Sequence, residues 1–354
     1  MIAPPAVSLP PAAPELLLDR QRRRIDYLRI SVTDRCNLRC TYCLPEEGVA
    51  TVPRAGLLSF EEIVALVGCF ARLGVRRLRL TGGEPTVRRD LPELVRMLRR
   101  LPGIDDLALS TNAVLLAELA APLRSAGVDR LNISVDTLDE ARFARITRGG
   151  RLERVLEGIE AARAAGFAAI KLNAVAVRGF NDDEIPTLAD YAWARGLIPR
   201  FIEQMPMADG ALFVPGTLMG AAEIRAAIAA AHPGALLQAE TASPAAGAGP
   251  ARYWRLDGDG NGEGDGQPRR FGIISPMTEH FCDTCNRVRL SAAGMLHTCL
   301  AFDDATDLRA VLRAAGEEGV VDTIRAAVDG KRDGHTFGLL GIGGPRKAMI
   351  QIGG

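Results

Sequence analysis

The sequence predicts an α/β fold: an incomplete (β/α)6 TIM-type barrel with a smaller C-terminal α+β domain covering its open side. Three observations lead there. From Tyr27 to Met205, short β-rich runs alternate with helix-patterned stretches, the signature of repeated βα units around a parallel sheet. The runs number six, too few for the eight strands of a closed barrel. After about Val214 the alternation stops, which places a boundary near Gly216.

The expected strands are Tyr27–Val32, Val75–Leu80, Ile104–Leu109, Arg130–Val135, Ala169–Val177 and Pro199–Gln204. Helical spacing fills the gaps at Ser59–Leu73, Leu91–Arg100, Ala113–Ala126, Leu152–Ala165 and Asp182–Arg195. Ser59 and Glu62 stand three apart before the apolar run from Ile63 to Phe70, a capping-box pattern that fixes one helix start. Beyond Gly216 the pattern gives a helix near Ala221–Ala231, an Ala/Gly/Pro stretch from Ala239 to Pro250, and two strands around a Gly/Asp-rich loop. The division is therefore a disordered leader over 1–23, the partial barrel over 24–215 and the C-terminal domain over 216–354.

Hydrophobic residues make up 47% and charged residues 24% of the 354, the composition of a globular chain. No apolar run is long enough for a spanning helix, and Met1 to Pro14 lacks the basic start and apolar core of a secretory signal, so a cytoplasmic location is expected. Lys plus Arg equals Asp plus Glu at 43 each, so no global field draws the chain to nucleic acid or a membrane surface. Any anion site must be local.

The loop opening Asp257-Gly-Asp-Gly-Asn-Gly has oxygen ligands where a calcium loop has them, but its twelfth position is Pro268, which supplies no carboxylate. Gly341-Ile-Gly-Gly lacks the Lys-Ser/Thr of a phosphate loop. Cysteines carry more information. Cys36, Cys40 and Cys43 fall within eight residues directly after the first strand, where a barrel places its active site. Structural zinc wants a fourth Cys or His, and the nearest His is His232. Three thiolates instead suit a [4Fe–4S] cluster with one iron free. Cys69 sits among Val64, Val67 and Phe70 and reads as a small buried apolar residue.

Cys-x3-Cys-x2-Cys after the first strand, with an aromatic residue, Tyr42, before the last Cys, resembles the radical S-adenosylmethionine (SAM) superfamily. The resemblance implies that the free iron chelates SAM and that one electron cleaves it to a 5′-deoxyadenosyl radical. Thr81-Gly-Gly-Glu-Pro85, after the second strand, resembles the motif for the SAM amino group and marks Gly83 and Glu84. Ser134 and Met205 stand where that family makes further SAM contacts, and Tyr42 joins them.

Cys282, Cys285 and Cys299 form a second triplet, for which zinc with His280 or His297 is a fair competitor on spacing alone. Its surroundings, Phe281-Cys-Asp-Thr-Cys-Asn-Arg-Val-Arg289 and Gly294-Met-Leu-His-Thr-Cys299, closely resemble the molybdenum-cofactor biosynthesis protein A family, the GTP 3′,8-cyclases. So do Arg29-Ile-Ser-Val-Thr-Asp-Arg-Cys36, Leu131-Asn-Ile-Ser-Val-Asp136, Arg200-Phe-Ile-Glu203 and the terminal Ile352-Gly-Gly354. The resemblance runs from about Arg24 to the end.

It implies two [4Fe–4S] clusters and SAM, with GTP as substrate. The radical takes the 3′ hydrogen of GTP, C3′ attacks C8 of guanine, and 3′,8-cyclo-7,8-dihydro-GTP results. The second cluster's open iron binds guanine, and the Gly353-Gly354 tail enters the site. By position, Arg29, Arg79, Ser110, Lys171, Arg287 and Arg289 match the family's GTP-binding residues. Arginine suits phosphate through its planar fork. A cellular one-electron donor and the next enzyme of the pathway, cyclic pyranopterin monophosphate synthase, are the implied protein partners, and a homodimer is left open. The chain departs from the family at Ser110-Thr-Asn-Ala113, where Gly is usual last, which questions any positive φ there. A radical SAM peptide maturase and a zinc-stabilised binding protein are the competing readings.

Overall fold

The computed structural model describes residues 16–240, 249–258 and 269–353. Its units begin with β1 (Tyr27–Ser31) and α1 (Phe60–Arg72). Ser59 caps α1 as expected: its side chain accepts from Glu62 N, and Glu62 returns the bond to Ser59 N. The units continue with β2 (Arg77–Thr81), α2 (Leu91–Arg99), β3 (Asp106–Thr111), α3 (Leu116–Ala126) and β4 (Arg130–Ser134). Next come α4 (Glu140–Thr147), α5 (Leu152–Ala164), β5 (Ala169–Ala176), α6 (Ile185–Trp193) and β6 (Ile198–Glu203). On one face, Leu28, Ile30, Leu78, Leu80, Leu109 and Ile133 pack against α1–α5 in one continuous core. The other face turns inward and is polar.

The C-terminal part holds α7 (Ala221–Ala231), β7 (Leu236–Ala239), β8 (Arg252–Asp257), β9 (Arg269–Ile274), β10 (Arg287–Leu290), β11 (Met295–His297), β12 (Thr306–Asp307) and α8 (Leu308–Asp329). It does more than cover an opening. Its strand β10 pairs in parallel with β1, and its strand β9 pairs in parallel with β6, so the C-terminal part extends the six-stranded sheet at both edges. All twelve described strands form one sheet, in the order β12-β11-β10-β1-β2-β3-β4-β5-β6-β9-β8-β7.

Other departures from expectation have local causes. The helix α4, capped by Asp139 accepting from Arg142 N, was not expected; it buries only Phe143, Ile146 and Thr147. β2 and β3 each begin two residues late, because Val75 N closes on Phe70 O and Asp105 N bonds to Arg76 O. The kinked helix α8, broken by Gly316 at φ +65°, and the short strands β10–β12 were also unforeseen. Of the expected leader, residues 1–15 lie outside the described residues, but 16–23 are packed rather than disordered. Leu17 is buried, and Asp19 and Arg23 form a buried ion pair at 2.6 Å. The suspected calcium loop falls at 259–268 and most of the Ala/Gly/Pro stretch at 241–248, both outside the described residues. Among the described residues, no helix is long and apolar enough to cross a membrane.

Candidate active site

At the carboxyl ends of β1, β2 and β3, three loops form the rim of a cavity of about 280 Å³. Cys36, Cys40 and Cys43 all line it. Their loop turns tightly, with Cys43 N and Leu44 N both donating to Cys40 O at 3.0 Å. Burial pushes the Cys36 thiol up to about 11 and raises Cys40 and Cys43 as well. Such thiols become thiolates by binding a metal centre, not by pH alone.

The rim is held by the second motif. A Cβ on Gly82 would lie 2.6 Å from Thr33 O, and one on Gly83 would press closer still on Arg35 O. The two glycines therefore admit the cysteine loop's own backbone, and both also line the cavity. Gly83 N is spent on Thr33 O and Glu84 N on Arg35 O, each at 2.8 Å. The Glu84 carboxylate is buried and ties the rim to the next loop. It accepts from Thr86 N, Thr86 Oγ1, Thr111 Oγ1 and Asn112 N at 2.6–3.0 Å. Burial still raises its pKa, those bonds working the other way. Asn112 Nδ2 reaches Cys36 Sγ at 3.9 Å. Ala113 does adopt the positive φ, +64°, that a glycine would take there freely. Tyr42 lines the cavity, but its hydroxyl donates to Asp136 at 2.7 Å, and burial lifts Asp136 to about 6. Ser134 and Met205 also face the cavity.

Below the rim the inner wall is cationic. The β10–β1–β2 register sets Arg289 beside Arg29 and Arg29 beside Arg79, three guanidiniums in a row on one face. Burial, then Arg289 and Arg79, lowers Arg29 well below its usual value. Burial and Arg287 bring Arg289 to about 10. These three, with Ser110 and Arg287, line the cavity; Lys171 does not. It is buried deeper in the wall, where burial and Arg200 bring it down to about 6. Arg200 was missed as a site residue although it faces the cavity, donating Nε to Asn173 Oδ1 at 2.9 Å and bonding to Asn132 Oδ1. An arginine in the middle of a mostly apolar strand was the available signal.

Cys282, Cys285 and Cys299 also stand outside that cavity, but their sequence neighbours Phe281 and Leu300 line it. Arg23 secures this second triplet, donating to Cys282 O at 2.9 Å and to Asp333 O at 2.8 Å. Burial would raise the Cys285 thiol, yet Arg287 and Lys331 hold it below its usual value. His280 Nδ1 contacts His335 Nε2 at 3.1 Å, and His297 is buried with Nδ1 lacking a partner. Among the described residues no three Cys, His, Asp or Glu side chains converge on a point suited to one metal ion. A [4Fe–4S] cube binds each thiolate to a different iron, so its ligands need no common point. The tail arrives at the wall: Arg289 donates to Gly353 O, and a Cβ on Gly353 would lie 3.1 Å from Ser31 Cβ. Gly354 lies outside the described residues.

Two family patterns match the chain: the Radical SAM superfamily over residues 30–192 and Molybdenum Cofactor Synthesis C over 198–337. A Pelotomaculum thermopropionicum protein named GTP 3′,8-cyclase is 47% identical over 95% of this chain and 99% of its own. Its namesake from Nitrobacter hamburgensis is 44% identical over 91% and 90%. GTP 3′,8-cyclase 1 of Pseudomonas aeruginosa is 45% identical over 95% and 99%.

Proposed function

The chain belongs to the GTP 3′,8-cyclase family of radical SAM enzymes, and on that premise we propose how its own residues divide the work. It converts GTP to 3′,8-cyclo-7,8-dihydro-GTP, the first step of molybdenum cofactor biosynthesis, using SAM and two [4Fe–4S] clusters. When bound, the first cluster and SAM supply the hydrogen-abstracting radical.

In our reading, Cys36, Cys40 and Cys43 hold the first cluster, and Cys282, Cys285 and Cys299 hold the second. Glu84, Gly83, Tyr42, Ser134 and Met205 shape the SAM side, with Glu84 and Tyr42 bracing the rim while presenting it to the cavity. Arg29, Arg79, Arg287 and Arg289 bind the triphosphate, and Ser110 adds a hydroxyl. Lys171 acts from beneath, adding positive potential under the anion. Gly353 covers the wall and limits water near the reacting ribose. The working division is 24–215 for SAM and 216–354 for the guanine end. The enzyme takes its electron from a cellular donor and passes its product to cyclic pyranopterin monophosphate synthase in the cytoplasm. A homodimer is the assembly to test by sedimentation.

The row Arg289–Arg29–Arg79 carries this reading, because burial and then the two flanking guanidiniums lower the pKa of Arg29, and a polyanion relieves that crowding. The test is anaerobic incubation of the reduced, reconstituted protein with SAM and GTP. Deoxyadenosine and the cyclised nucleotide should both appear, and neither should in Cys40→Ala. Normal turnover by that variant would refute the reading.

A further inference from the structure

Residues 344–353 run from the surface, where the Arg346 side chain is exposed, to the cationic wall, where Arg289 holds Gly353. We propose that Asp303 is the positioning residue that seats this tail, and that it serves cyclisation through the tail alone. The inference rests on the covering role given above to Gly353.

Asp303 stands four residues after Cys299, and both its carboxylate oxygens are spent on the tail. One accepts from Arg346 N at 3.1 Å and Arg346 Nε at 3.2 Å, the other from Lys347 N at 3.4 Å. Its backbone carbonyl accepts from Lys347 Nζ at 3.3 Å. Burial would raise the Asp303 carboxyl, yet its bonds to Arg346 and Lys347 hold it below its usual value. The Asp303 side chain is 26% exposed and that of Arg346 is 82% exposed, so the ion pair is screened and the bonds from the two backbone N–H groups carry the hold. The neighbouring Asp304 pairs elsewhere, with Arg332 at 2.6 Å.

Across from Asp303, the loop that follows Met205 grips the same stretch. Pro345 O accepts from Asp209 N at 2.7 Å, and Lys347 O from Ala208 N at 3.4 Å. Gly344 leaves no room to slide, since a Cβ there would collide with Pro206 O. Beyond this root, Ala348 and Ile350 are buried with Leu44, next to Cys43, and Met349 and Ile350 line the cavity. Gly353, six residues past Lys347, ends on Arg289. A chain end frays unless it is tied down, and freeing the root exchanges one path for many, so the tip then spends less time on the wall. Asp303 supplies the charged half of that root.

Release of the tail and its use in cyclisation are read separately. In anaerobic Asp303→Ala holoenzyme, limited trypsin should free the peptide beyond Lys347 roughly tenfold faster, as followed by mass spectrometry, the effect of losing a charge-assisted bond. Asp304→Ala should release it at the unsubstituted rate. When the Asp303 variant is reduced and given SAM and GTP, the cyclised nucleotide formed per deoxyadenosine should fall roughly tenfold. A chain truncated after Ile352 should lose at least as much, and adding Asp303→Ala to it should cost nothing further. Unchanged tail release or an unchanged product ratio in Asp303→Ala would overturn the proposal. So would a further loss in the doubly altered chain, or equal release from Asp304→Ala. Full cyclisation by the truncated chain would instead overturn the covering role of Gly353, whatever the tail release shows.

Discussion

The rim and the wall of the cavity are only a few residues apart along each strand, yet they are finished to different degrees. On the rim, polar groups are matched within the chain: Glu84 takes four donors, Tyr42 is bonded to Asp136, and Asp136 also accepts from Val175 N. On the wall, Arg79, Arg287, Arg289, Arg200 and Lys171 form no ion pair among the described residues, and burial together with neighbouring cations lowers the pKa values of Arg289, Arg200 and Lys171. The rim is built before anything binds. The wall carries an electrostatic strain that a polyanion relieves, so substrate should add stability there in a way that rim ligands need not.

The sharpest way to break this contrast is Glu84→Ala. Four buried donors would lose their acceptor, and the metal-free protein should lose about 3 kcal/mol or more in chemical denaturation. Unchanged stability would mean that the rim does not depend on its internal bonds. Arg289→Ala should do the reverse. GTP affinity, read by calorimetry, should fall roughly tenfold or more, since a charge-assisted bond contributes about 1.5–3 kcal/mol, while ligand-free stability holds or rises. Lys171→Met sharpens the wall's side through pH. Lys171 titrates near 6 in the fold against an ordinary 10.5, so between those values the unfolded chain binds the extra proton and native stability climbs with pH. The variant should have the higher thermal midpoint near pH 6 to 7 in the absence of GTP, its advantage shrinking toward pH 10. A pH-independent difference would remove Lys171 from the account.

The smallest effect is expected on the rim, at Ala113. A left-handed alanine costs about 1–2 kcal/mol, partly offset by the backbone entropy that glycine would lose. Ala113→Gly should stabilise the protein by roughly 0.5–1 kcal/mol, measured by denaturant midpoint, with SAM cleavage unchanged. A loss of stability would show the alanine methyl, buried against Gly158, to matter more than its φ.

The rim was easier to read from sequence than the wall. Cys36, Cys40 and Cys43 sit in one compact motif directly after a strand, so spacing gathered them, and Glu84 was marked by the resemblance of Thr81–Pro85 to the SAM motif. Arg200 could not be gathered that way: its site is assembled by lateral pairing across strands distant in sequence, and a charged residue in a strand reads as surface. For the same reason the close packing of Gly82 and Gly83 against the loop after β1 was not legible, their crowding partner lying after another strand. Strands β10–β12 have two to four residues each, too short to display a period. The helix α4 buries a single aromatic and little else, which leaves no apolar stripe to detect.

The sheet's two outer joins set a schedule for the nascent chain. β1 leaves the ribosome early, but the strand that covers its free edge is β10, and the edge of β6 waits for β9. Throughout synthesis of the intervening segments both edges offer unpaired backbone groups, a template for aggregation unless they are shielded. Long-range parallel pairing of this kind is also intrinsically slow. The same delay leaves the first cysteine loop uncovered until the last segments of the chain arrive to close the cavity beneath it.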